Sequence, residues 1–451
     1  MITKVRFAPS PTGFLHVGNI RTAIINFLFA QKTGGEFYLR LDDTDTQRVQ
    51  EIYRQTILQD MSWLQLNHHQ LFKQSDRLSF YEQAKQKLLQ NGRLYECFET
   101  EEELNLQRKS QIASGIRPIY NRASLQLTTQ QKTDLRKQGL KPHYRFLLKD
   151  EPVSWQDQIK GKITYEGRHF SDPVLFRQED DTGFAVPTYT FCSVVDDIDY
   201  NITHIIRGED HVTNTAIQIQ IFQALNADVP LFAHLALIKA STGKISKREG
   251  GFDIKTMREN GYDKLTILAF LAQVGTSCPI NPITDISQLV ENFNFSNFSK
   301  SATNYDLGEL SNFNQKTLQN LSFSAIQNRL QDLGISNISE QLWEACKKNI
   351  NFLPEITKWQ EIFNNPNFYY QNHPEVSDFL KLTSQFLPEN TSVSDAWNIW
   401  LHNIKQNTTK QGKEIFLPIR LALTGLEHGP ELKHIVNLIP RQQILFRLTN
   451  K

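Results

Sequence analysis

The sequence predicts an α/β protein that begins with a parallel-sheet domain, contains a long insertion and ends in an all-helical region. Three observations lead to this prediction. The N-terminal residues follow a strand–helix–strand pattern, the stretch from about residue 80 to 186 is more polar, and the chain beyond about residue 312 has a helical pattern rich in Asn and Gln. A chain of 451 residues is too long for one ordinary core, so we expect about two to four domains.

The first strand–helix–strand segment is the clearest local signal. Residues 4–8 alternate apolar and polar side chains, as a half-buried strand does. The helix that follows ends at Gly34 and Gly35. Its apolar stripe comprises Ile20, Ala23, Ile24, Phe27 and Leu28. Residues 37–41 alternate again and run into the acidic residues 42–45. Because such a crossover favours parallel strands, we expect both polar segments at the edge of the sheet where ligands bind.

The sheet is expected to resume after the insertion. Val194 and Val195, and then residues 203–207, are interpreted as strands, followed by a helix at residues 214–225 and a basic loop at residues 243–251.

Composition limits the class of protein. The formal net charge is only +1, so any nucleic-acid contact depends on local basic patches. The first residues have no apolar signal core, and no run approaches the ~18 uncharged residues of a membrane span. The four cysteines stand alone, at Cys97, Cys192, Cys278 and Cys346. No disulfide framework or metal-ligand set is predicted, and a reducing cytoplasm is the expected location.

Two segments carry chemistry. Residues 9–19 (PSPTGFLHVGN) form a strand-to-helix turn, where unpaired amides attract anions, His16 can donate to a phosphate and Gly18 lets a base approach. Residues 244–248 (KISKR) place Lys244 and Lys247 where both can grip a polyphosphate. Taken alone, the first segment is an ordinary capped turn and the second a solvated loop.

Together, in this order, the two segments resemble the two signatures of class I aminoacyl-tRNA synthetases. Three further runs are similar to the bacterial glutamyl-tRNA synthetase family: residues 6–13 (RFAPSPTG), 39–45 (LRLDDTD) and 206–211 (IRGEDH). The resemblance is dense to about residue 260 and looser beyond, although residues 416–425 (FLPIRLALTG) still match.

The resemblance implies a Rossmann-type catalytic domain and assigns roles to regions of the chain. The expected domains are the two catalytic halves at 1–79 and 187–240, an acceptor-binding α/β insertion at 80–186, a connecting segment at 241–315 and a helical anticodon-binding region at 316–451. It further implies that glutamate and ATP give glutamyl-adenylate, that the glutamyl group passes to tRNA, and that Mg²⁺ accompanies ATP. Activation that waits for tRNA and a monomeric chain are also expected.

The family also implies roles for individual residues. ATP is expected to contact His16, Gly18, Asn19, Lys244, Ser246 and Lys247, among which His16, Lys244 and Lys247 are the catalytic residues. Glutamate is expected to contact Arg6, Ala8, Ser10, Asp42, Tyr189 and Arg207. Of these, Arg6 with Tyr189 would bind the side-chain carboxylate and Arg207 the α-carboxylate, because the planar guanidinium matches a carboxylate. The alternative for Arg6 is a strand-end residue paired with Asp43 or Asp45.

The sequence departs from the family at several of these positions. Asn19 replaces the second histidine of the first signature, Asp42 is one methylene shorter than the usual glutamate, and Ser193 stands where some relatives have asparagine. Some relatives bind zinc through cysteines of the insertion. Here the matching region leaves one thiol, Cys97, so no structural zinc is predicted.

Three alternatives remain at this stage. A glutaminyl-tRNA synthetase is disfavoured by the cationic Arg6, and the relative that glutamylates queuosine generally lacks the anticodon region. A catalytically dead RNA-binding paralogue is disfavoured by the intact signatures. Whether tRNA(Glu), tRNA(Gln) or both are charged stays open. The aromatic residues 368–370 could stack on bases or pack in the core.

Overall fold

The computed structural model describes residues 2–45, 47–240, 253–370 and 374–449. Its contacts divide the chain into two compact units. The first comprises Met1–Met257, Leu268–Asn281 and Asp285–Asp306, and the second comprises Arg258–Ile267, Pro282–Thr284 and Leu307–Lys451. Among the described helices, none is both long and apolar enough to cross a bilayer.

A parallel sheet opens the first unit. Its elements are β1 (Lys4–Phe7), α1 (Val17–Thr33), β2 (Glu36–Leu41), α2 (Glu51–Trp63) and β3 (Gln70–Lys73). The strands pair in parallel in the order β1-β2-β3, with Val5 opposite Phe37. Helix α1 ends where Gly34 adopts a φ of 60°, a conformation that glycine accepts without strain. The predicted strand–helix–strand segment is therefore confirmed.

The following stretch mixes helices with antiparallel strands. Its elements are α3 (Leu78–Gln90), β4 (Leu94–Cys97), α4 (Glu101–Ala113), α5 (Thr129–Lys137), β5 (His143–Phe146), β6 (Val153–Asp157), β7 (Gly161–Tyr165), β8 (Val174–Glu179) and β9 (Ala185–Pro187). Four of the strands form one antiparallel sheet in the order β4-β5-β8-β9. The hairpin β6–β7 does not join that sheet.

The hairpin β6–β7 instead belongs to a second sheet, which also contains two parallel strands from later in the chain. The chain continues with α6 (Tyr189–Asp199), β10 (His204–Gly208), α7 (Val212–Ala224) and β11 (Leu231–Leu235). The sheet order is β10-β11-β6-β7, and β6 meets β11 where Asp157 lies opposite Phe232. The Thr203 amide donates to the Lys4 carbonyl at 3.0 Å, so β10 begins beside β1. The carboxyl ends of β1, β2 and β10 thus face one region.

One strand prediction was wrong. Val194 and Val195 lie on helix α6 and not on a strand. Helix α6 is buried at Phe191 and Cys192 as well as at both valines. A short, continuously apolar run does not distinguish a buried strand from a buried helix. The predicted strand at 203–207 and helix at 214–225 are confirmed as β10 and α7.

The remainder of the first unit pairs two distant segments. The elements from residue 238 to 305 are β12 (Ile238–Ala240), α8 (Ile254–Glu259), α9 (Lys264–Gln273), α10 (Ser287–Asn292) and β13 (Thr303–Tyr305). Helices α8 and α9 each contain residues of both units. Strands β12 and β13 pair in parallel. The predicted basic loop at 243–251 lies outside the described residues. Asp253, just beyond it, forms an antiparallel bridge with His16.

The second unit is helical, as the sequence predicts. From residue 307 onward its helices are α11 (Leu307–Asn320), α12 (Phe323–Asp332), α13 (Glu340–Cys346), α14 (Ile356–Asn364), α15 (Pro374–Ser384), α16 (Ala396–Asn407), α17 (Lys413–Thr424), α18 (Leu432–Leu438) and α19 (Arg441–Thr449). The buried Arg447 donates to the carbonyls of Leu423 and Ile362, which joins three helices. Phe368 is half-buried against the Arg447 guanidinium, whereas Tyr369 is exposed.

Candidate active site

A cavity of about 1030 Å³ opens in the first unit at the carboxyl ends of β1, β2 and β10. It brings together nine of the residues predicted from the sequence. They are Arg6, Ala8, Ser10, His16, Gly18, Asn19, Asp42, Tyr189 and Arg207. The other three predicted residues, Lys244, Ser246 and Lys247, lie outside the described part of the chain. The cavity is therefore the candidate active site.

His16 caps helix α1 at the cavity wall. Its Nδ1 accepts from the backbone amides of Gly18 at 3.1 Å and Asn19 at 3.3 Å. Partial burial lowers the pKa of His16, and the nearby Asp210 opposes that shift. The imidazole is consequently neutral at neutral pH, with Nδ1 as an acceptor. Nε2 then carries the proton and is a hydrogen-bond donor for a ligand in the cavity.

Gly18 lies directly under the His16 ring. A Cβ built on Gly18 would lie 3.1 Å from the His16 Cε1 and 3.2 Å from Nδ1. These contacts are tighter than ordinary van der Waals contact, so a side chain at this position would press on the ring. Glycine therefore keeps the first turn of α1 open to a ligand while the His16 cap stays in place.

Arg6 and Asp197 form a buried bidentate pair. The Arg6 Nε and Nη2 donate to Asp197 at 3.0 and 3.1 Å, and both side chains are nearly inaccessible to solvent. The alternative in which Arg6 pairs with Asp43 or Asp45 is wrong. Asp43 accepts from Arg54 and Ser75, while Asp45 accepts from Arg48. Asp197 thus fixes the plane in which Arg6 faces the cavity.

Asp42 is held by Arg40 of β2, the strand that it directly follows. Arg40 donates from Nε to the Asp42 Oδ1 at 2.6 Å and from Nη1 to the Asp197 Oδ1 at 3.0 Å. Burial raises the pKa of Asp42 to about 6, although the Arg40 charge opposes the shift. Asp42 is therefore mainly ionised at neutral pH and presents a carboxylate at the cavity wall.

The charges beneath this wall balance. The buried members of the connected group are three arginines and three aspartates, namely Arg6, Arg40, Arg77, Asp42, Asp196 and Asp197. Arg77 also pairs with Asp199, which is partly exposed to solvent. Three positive and three negative charges sum to zero. The charge of a ligand in this part of the cavity must therefore be balanced by a residue outside this group.

Arg207 is a buried cation of a different kind. Its Nε donates to the His234 Nε2 at 3.3 Å and its Nη2 to the Thr215 Oγ1 at 2.6 Å. Within the described residues it forms no ion pair with a carboxylate, and its buried Nη1 has no hydrogen-bond partner there. Burial lowers the pKa of Arg207. Arg207 therefore lines the cavity with a charge that no carboxylate among the described residues balances.

Described residues on either side of the segment 241–252 lie at the same cavity. Leu237 and Asp253 both line it, and the Ile254 amide donates to the Leu15 carbonyl at 2.9 Å. Glu209 accepts a hydrogen bond from the Leu237 amide at 3.0 Å. The residues that flank 241–252 are thus fastened beside the first signature.

Several residues of this site were not found from the sequence. The partners Asp197 and His234 carry no local motif, and they act through contacts far along the chain, whereas Arg40 belongs to the quoted run at 39–45. Asp210 and His211, in contrast, line the cavity and belong to the quoted run at 206–211. That run was the available signal for them.

The insertion contains one group of potential metal ligands. One ligand atom each from Cys97, Glu99 and His143 lies within 4.8 Å of the others. The Glu99 carboxylate already accepts from the Tyr120 hydroxyl at 2.6 Å and the Ser124 hydroxyl at 2.8 Å. Burial raises the pKa of Cys97 to about 11, which disfavours the thiolate that metals bind. Hydrogen bonding within the group therefore competes with metal binding.

Comparison with known proteins agrees with this site. Residues 3–320 match the family described as class I tRNA synthetases (E and Q), catalytic domain, and residues 326–451 match an anticodon binding domain. The chain is 47% identical over 453 residues to glutamate–tRNA ligase 1 of Rickettsia felis, covering all of both chains. It is also 47% identical over 452 residues to glutamate–tRNA ligase 2 of Rickettsia canadensis, covering 99% of this chain and 100% of that protein.

A solved structure extends the comparison to the fold. The crystal structure of a glutamate tRNA ligase from Elizabethkingia meningosepticum in complex with its amino acid matches with a TM-score of 0.84 and 26% identity. The match covers 100% of this chain and 99% of that one. With the signature turn, the two buried arginines and full-length relatives in agreement, the chain belongs to the class I aminoacyl-tRNA synthetases, in the branch of the glutamate–tRNA ligases.

Proposed function

We propose that this enzyme activates L-glutamate with ATP to glutamyl-adenylate and transfers the glutamyl group to the 3′ end of tRNA. The observation that carries the proposal is the presence of two buried arginines, Arg6 and Arg207, at the wall of one cavity. Glutamate has two carboxylates, whereas glutamine has one. Burying an arginine is costly unless a partner compensates its charge, and Arg207 has no carboxylate partner among the described residues, so it favours an anionic ligand. Arg6 is paired with Asp197 and offers a second guanidinium, whose planar donors match a second carboxylate.

The site supports a specific orientation of glutamate. Arg6, fixed by Asp197, binds the side-chain carboxylate with help from Tyr189, and Arg207 binds the α-carboxylate. Ser10 and the ionised Asp42 bind the ammonium group, while Ala8 contacts the aliphatic part. Because the six buried charges beneath the wall sum to zero, the charge of Arg207 offsets the net charge of −1 of bound glutamate.

The first turn of α1 supports ATP binding beside glutamate. His16 donates from Nε2 to the phosphates, and Gly18 and Asn19 present backbone amides at the positive end of the helix. Lys244, Ser246 and Lys247 belong to the loop whose flanking residues line the cavity, and they neutralise the departing pyrophosphate. Mg²⁺ enters as part of the ATP complex and screens its phosphate charge.

The chemistry needs positioning more than proton transfer. An α-carboxylate oxygen of glutamate forms a bond to the α-phosphorus of ATP, and the bond to pyrophosphate breaks. A terminal ribose hydroxyl of tRNA then attacks the carbonyl carbon, and AMP leaves with the original carboxylate oxygen. His16 and the two lysines stabilise charge that develops on the phosphates.

The remaining regions supply tRNA binding in this proposal. The insertion at 80–186 binds the acceptor end, 241–315 connects the domains, and 316–451 reads the anticodon. The helical region disfavours the queuosine-modifying relative, and the exposed Tyr369 is available to stack on a base. We further propose a cytoplasmic monomer, for which light scattering of the purified chain is the test. The four cysteines are unbonded, which suits a reducing compartment.

The decisive experiment is aminoacylation with labelled glutamate and separate transcripts of tRNA(Glu) and tRNA(Gln), with labelled glutamine as control. We expect glutamate to be charged and glutamine not. Charging of one transcript identifies a discriminating enzyme, and charging of both identifies one that depends on a downstream amidotransferase. Folded protein that charges neither transcript contradicts the proposal and favours a catalytically dead RNA-binding protein.

A further inference from the structure

Two buried side chains, His234 and Asp157, lie in line behind Arg207. His234 and Asp157 are both fully inaccessible to solvent, and the His234 Nδ1 lies 2.6 Å from the Asp157 Oδ2. On its other side, the His234 Nε2 lies 3.3 Å from the Arg207 Nε and 3.0 Å from the Thr215 Oγ1, which also accepts from the Arg207 Nη2. A carboxylate, an imidazole and a guanidinium therefore form a line that ends at the cavity.

The backbone determines which oxygen of Asp157 faces the imidazole. The Asp157 Oδ1 accepts from the amides of Ile159 at 3.0 Å, Lys160 at 2.9 Å and His234 at 3.3 Å. Oδ2 is thereby directed at the His234 Nδ1. Because an ionised carboxylate only accepts, Nδ1 must carry the proton and Nε2 must present its lone pair to Arg207.

The protonation states agree with this order. Burial raises the pKa of Asp157, but the hydrogen bonds from His234 and the backbone amides outweigh it and leave the pKa lowered. Burial lowers the pKa of His234 and outweighs the opposing effect of Asp157. At neutral pH a neutral imidazole therefore separates the carboxylate from the guanidinium.

We propose that His234, oriented by Asp157, is a positioning residue that holds the guanidinium of Arg207 for the substrate carboxylate without neutralising the arginine. The inference rests on the proposed role of Arg207. A neutral acceptor fixes the plane of the guanidinium and leaves its charge available to the substrate. Arg6 provides the contrast, because its orienting partner Asp197 is itself charged. Asp157 belongs to strand β6, so the insertion contributes directly to amino-acid binding.

The near-isosteric variant Asp157→Asn tests this inference. The backbone amides would hold the remaining oxygen of the new side chain, and its NH₂ group would face the His234 Nδ1. The imidazole would then carry its proton on Nε2, so a donor would face the Arg207 Nε. An asparagine that imposes the wrong histidine tautomer is known to disable a catalytic histidine while leaving the geometry intact.

The readout is the Michaelis constant for glutamate compared with that for ATP in tRNA charging. For Asp157→Asn we expect the glutamate KM to rise about 10–100-fold and the ATP KM to change less than about twofold. Asp172→Asn is the matched control. Asp172 is equally buried and accepts from Tyr95, Arg122 and the Leu148 amide, but it has no contact with Arg207.

Two substitutions of His234 separate positioning from packing. The Oε1 of His234→Gln is an acceptor at the level of Nε2, so this variant should keep most of the affinity for glutamate. His234→Leu fills similar space without an acceptor and should resemble Asp157→Asn. Selective ¹⁵N labelling of histidine with NMR gives a readout besides activity. In the wild type the His234 proton should be on Nδ1, and in Asp157→Asn it should be on Nε2.

Each outcome decides one question. If Asp157→Asn and Asp172→Asn have the same glutamate KM, or if His234→Leu equals His234→Gln, the positioning role is refuted. The proposed function is judged separately on the wild-type chain, and the role of Arg207 on Arg207→Lys. Wild-type protein that fails to charge tRNA contradicts the proposed function. An unchanged glutamate KM in Arg207→Lys leaves that function standing but contradicts the role of Arg207 on which the inference rests.

Discussion

The guanidinium of Arg6 lies against the carboxylate of Asp197, joined by hydrogen bonds of 3.0 and 3.1 Å that connect residues 191 positions apart. Asp197 also accepts from Arg40. One buried carboxylate therefore holds two buried arginines, and the orientation of the amino-acid site depends on it.

Asp197→Asn removes the charge while keeping the shape. We expect the free energy of unfolding to fall by about 3–5 kcal/mol, because uncompensated buried charges remain. Urea unfolding followed by circular dichroism measures the change. Asp199→Asn on the same helix is the control. The Asp199 side chain is 45% exposed, so its variant should lose no more than about 1 kcal/mol. Equal losses in both variants would contradict the central role of Asp197.

Arg6→Gln tests selection of the side-chain carboxylate. The variant loses the bidentate donor that faces Asp197 and the cation that faces glutamate. We expect kcat/KM for glutamate to fall about 10²–10³-fold in the charging assay. The exposed Arg117→Gln is the matched control and should match the wild type. An unaltered glutamate KM in Arg6→Gln would remove Arg6 from the binding site.

His16 has two functions that two variants separate. His16→Asn keeps an acceptor for the Gly18 and Asn19 amides, since asparagine is a good helix cap, but it removes the Nε2 donor. His16→Ala removes both. We expect only the alanine variant to lose about 1 kcal/mol of stability, and both variants to lose about 100-fold in kcat. Thermal unfolding and charging kinetics measure these effects. Full activity in His16→Asn would show that the cap, and not the donor, matters.

Asp42 predicts a pH dependence of glutamate binding. The pKa of Asp42 in the folded protein is about 6, raised from the ordinary 3.8. Its contribution to the free energy of unfolding is therefore fully present below pH 3.8 and is lost as pH rises through about 6. Binding of the ammonium group has the opposite requirement, because it needs the ionised carboxylate. We therefore expect glutamate affinity to fall as pH drops through about 6.

Calorimetric titration of glutamate between about pH 5 and 8 tests this dependence. In Asp42→Asn the affinity should be lower at every pH, and the decline near pH 6 should disappear. An identical decline in the variant would assign the titration to another group.

We predict that the protein needs no zinc in its insertion. The Glu99 carboxylate is occupied by Tyr120 and Ser124, and burial raises the pKa of Cys97 to about 11, which disfavours the thiolate that zinc binds. We expect chelator-washed protein to contain no stoichiometric zinc, and Cys97→Ser to retain charging activity. Elemental analysis that finds one zinc per chain, together with a chelator-dependent loss of thermal stability, would contradict this prediction.

The sequence predicts the site better than the contacts that support it. Asp42 directly follows β2, and Ser10 and His16 lie in the turn between β1 and α1, so local spacing already placed them at one edge of a parallel sheet. The partner of Arg6 could not be predicted in the same way, because Asp197 lies on a helix that resembled a strand in its apolar pattern. Asp157 illustrates the same limit. It contacts Arg207 through His234, and only because the hairpin β6–β7 pairs with β11 and not with the other strands of the insertion.

That hairpin, β6–β7, limits how this enzyme can be divided. Residues 80–186 look like a removable module in the sequence, yet residues 153–165 form the outer edge of the catalytic sheet beside β11. Excising the whole stretch would leave β11 with an unpaired edge, a known template for aggregation, and would remove Asp157. A minimal catalytic core must therefore retain the hairpin, and chimaeras that exchange acceptor-binding modules between relatives should place their junctions on either side of it.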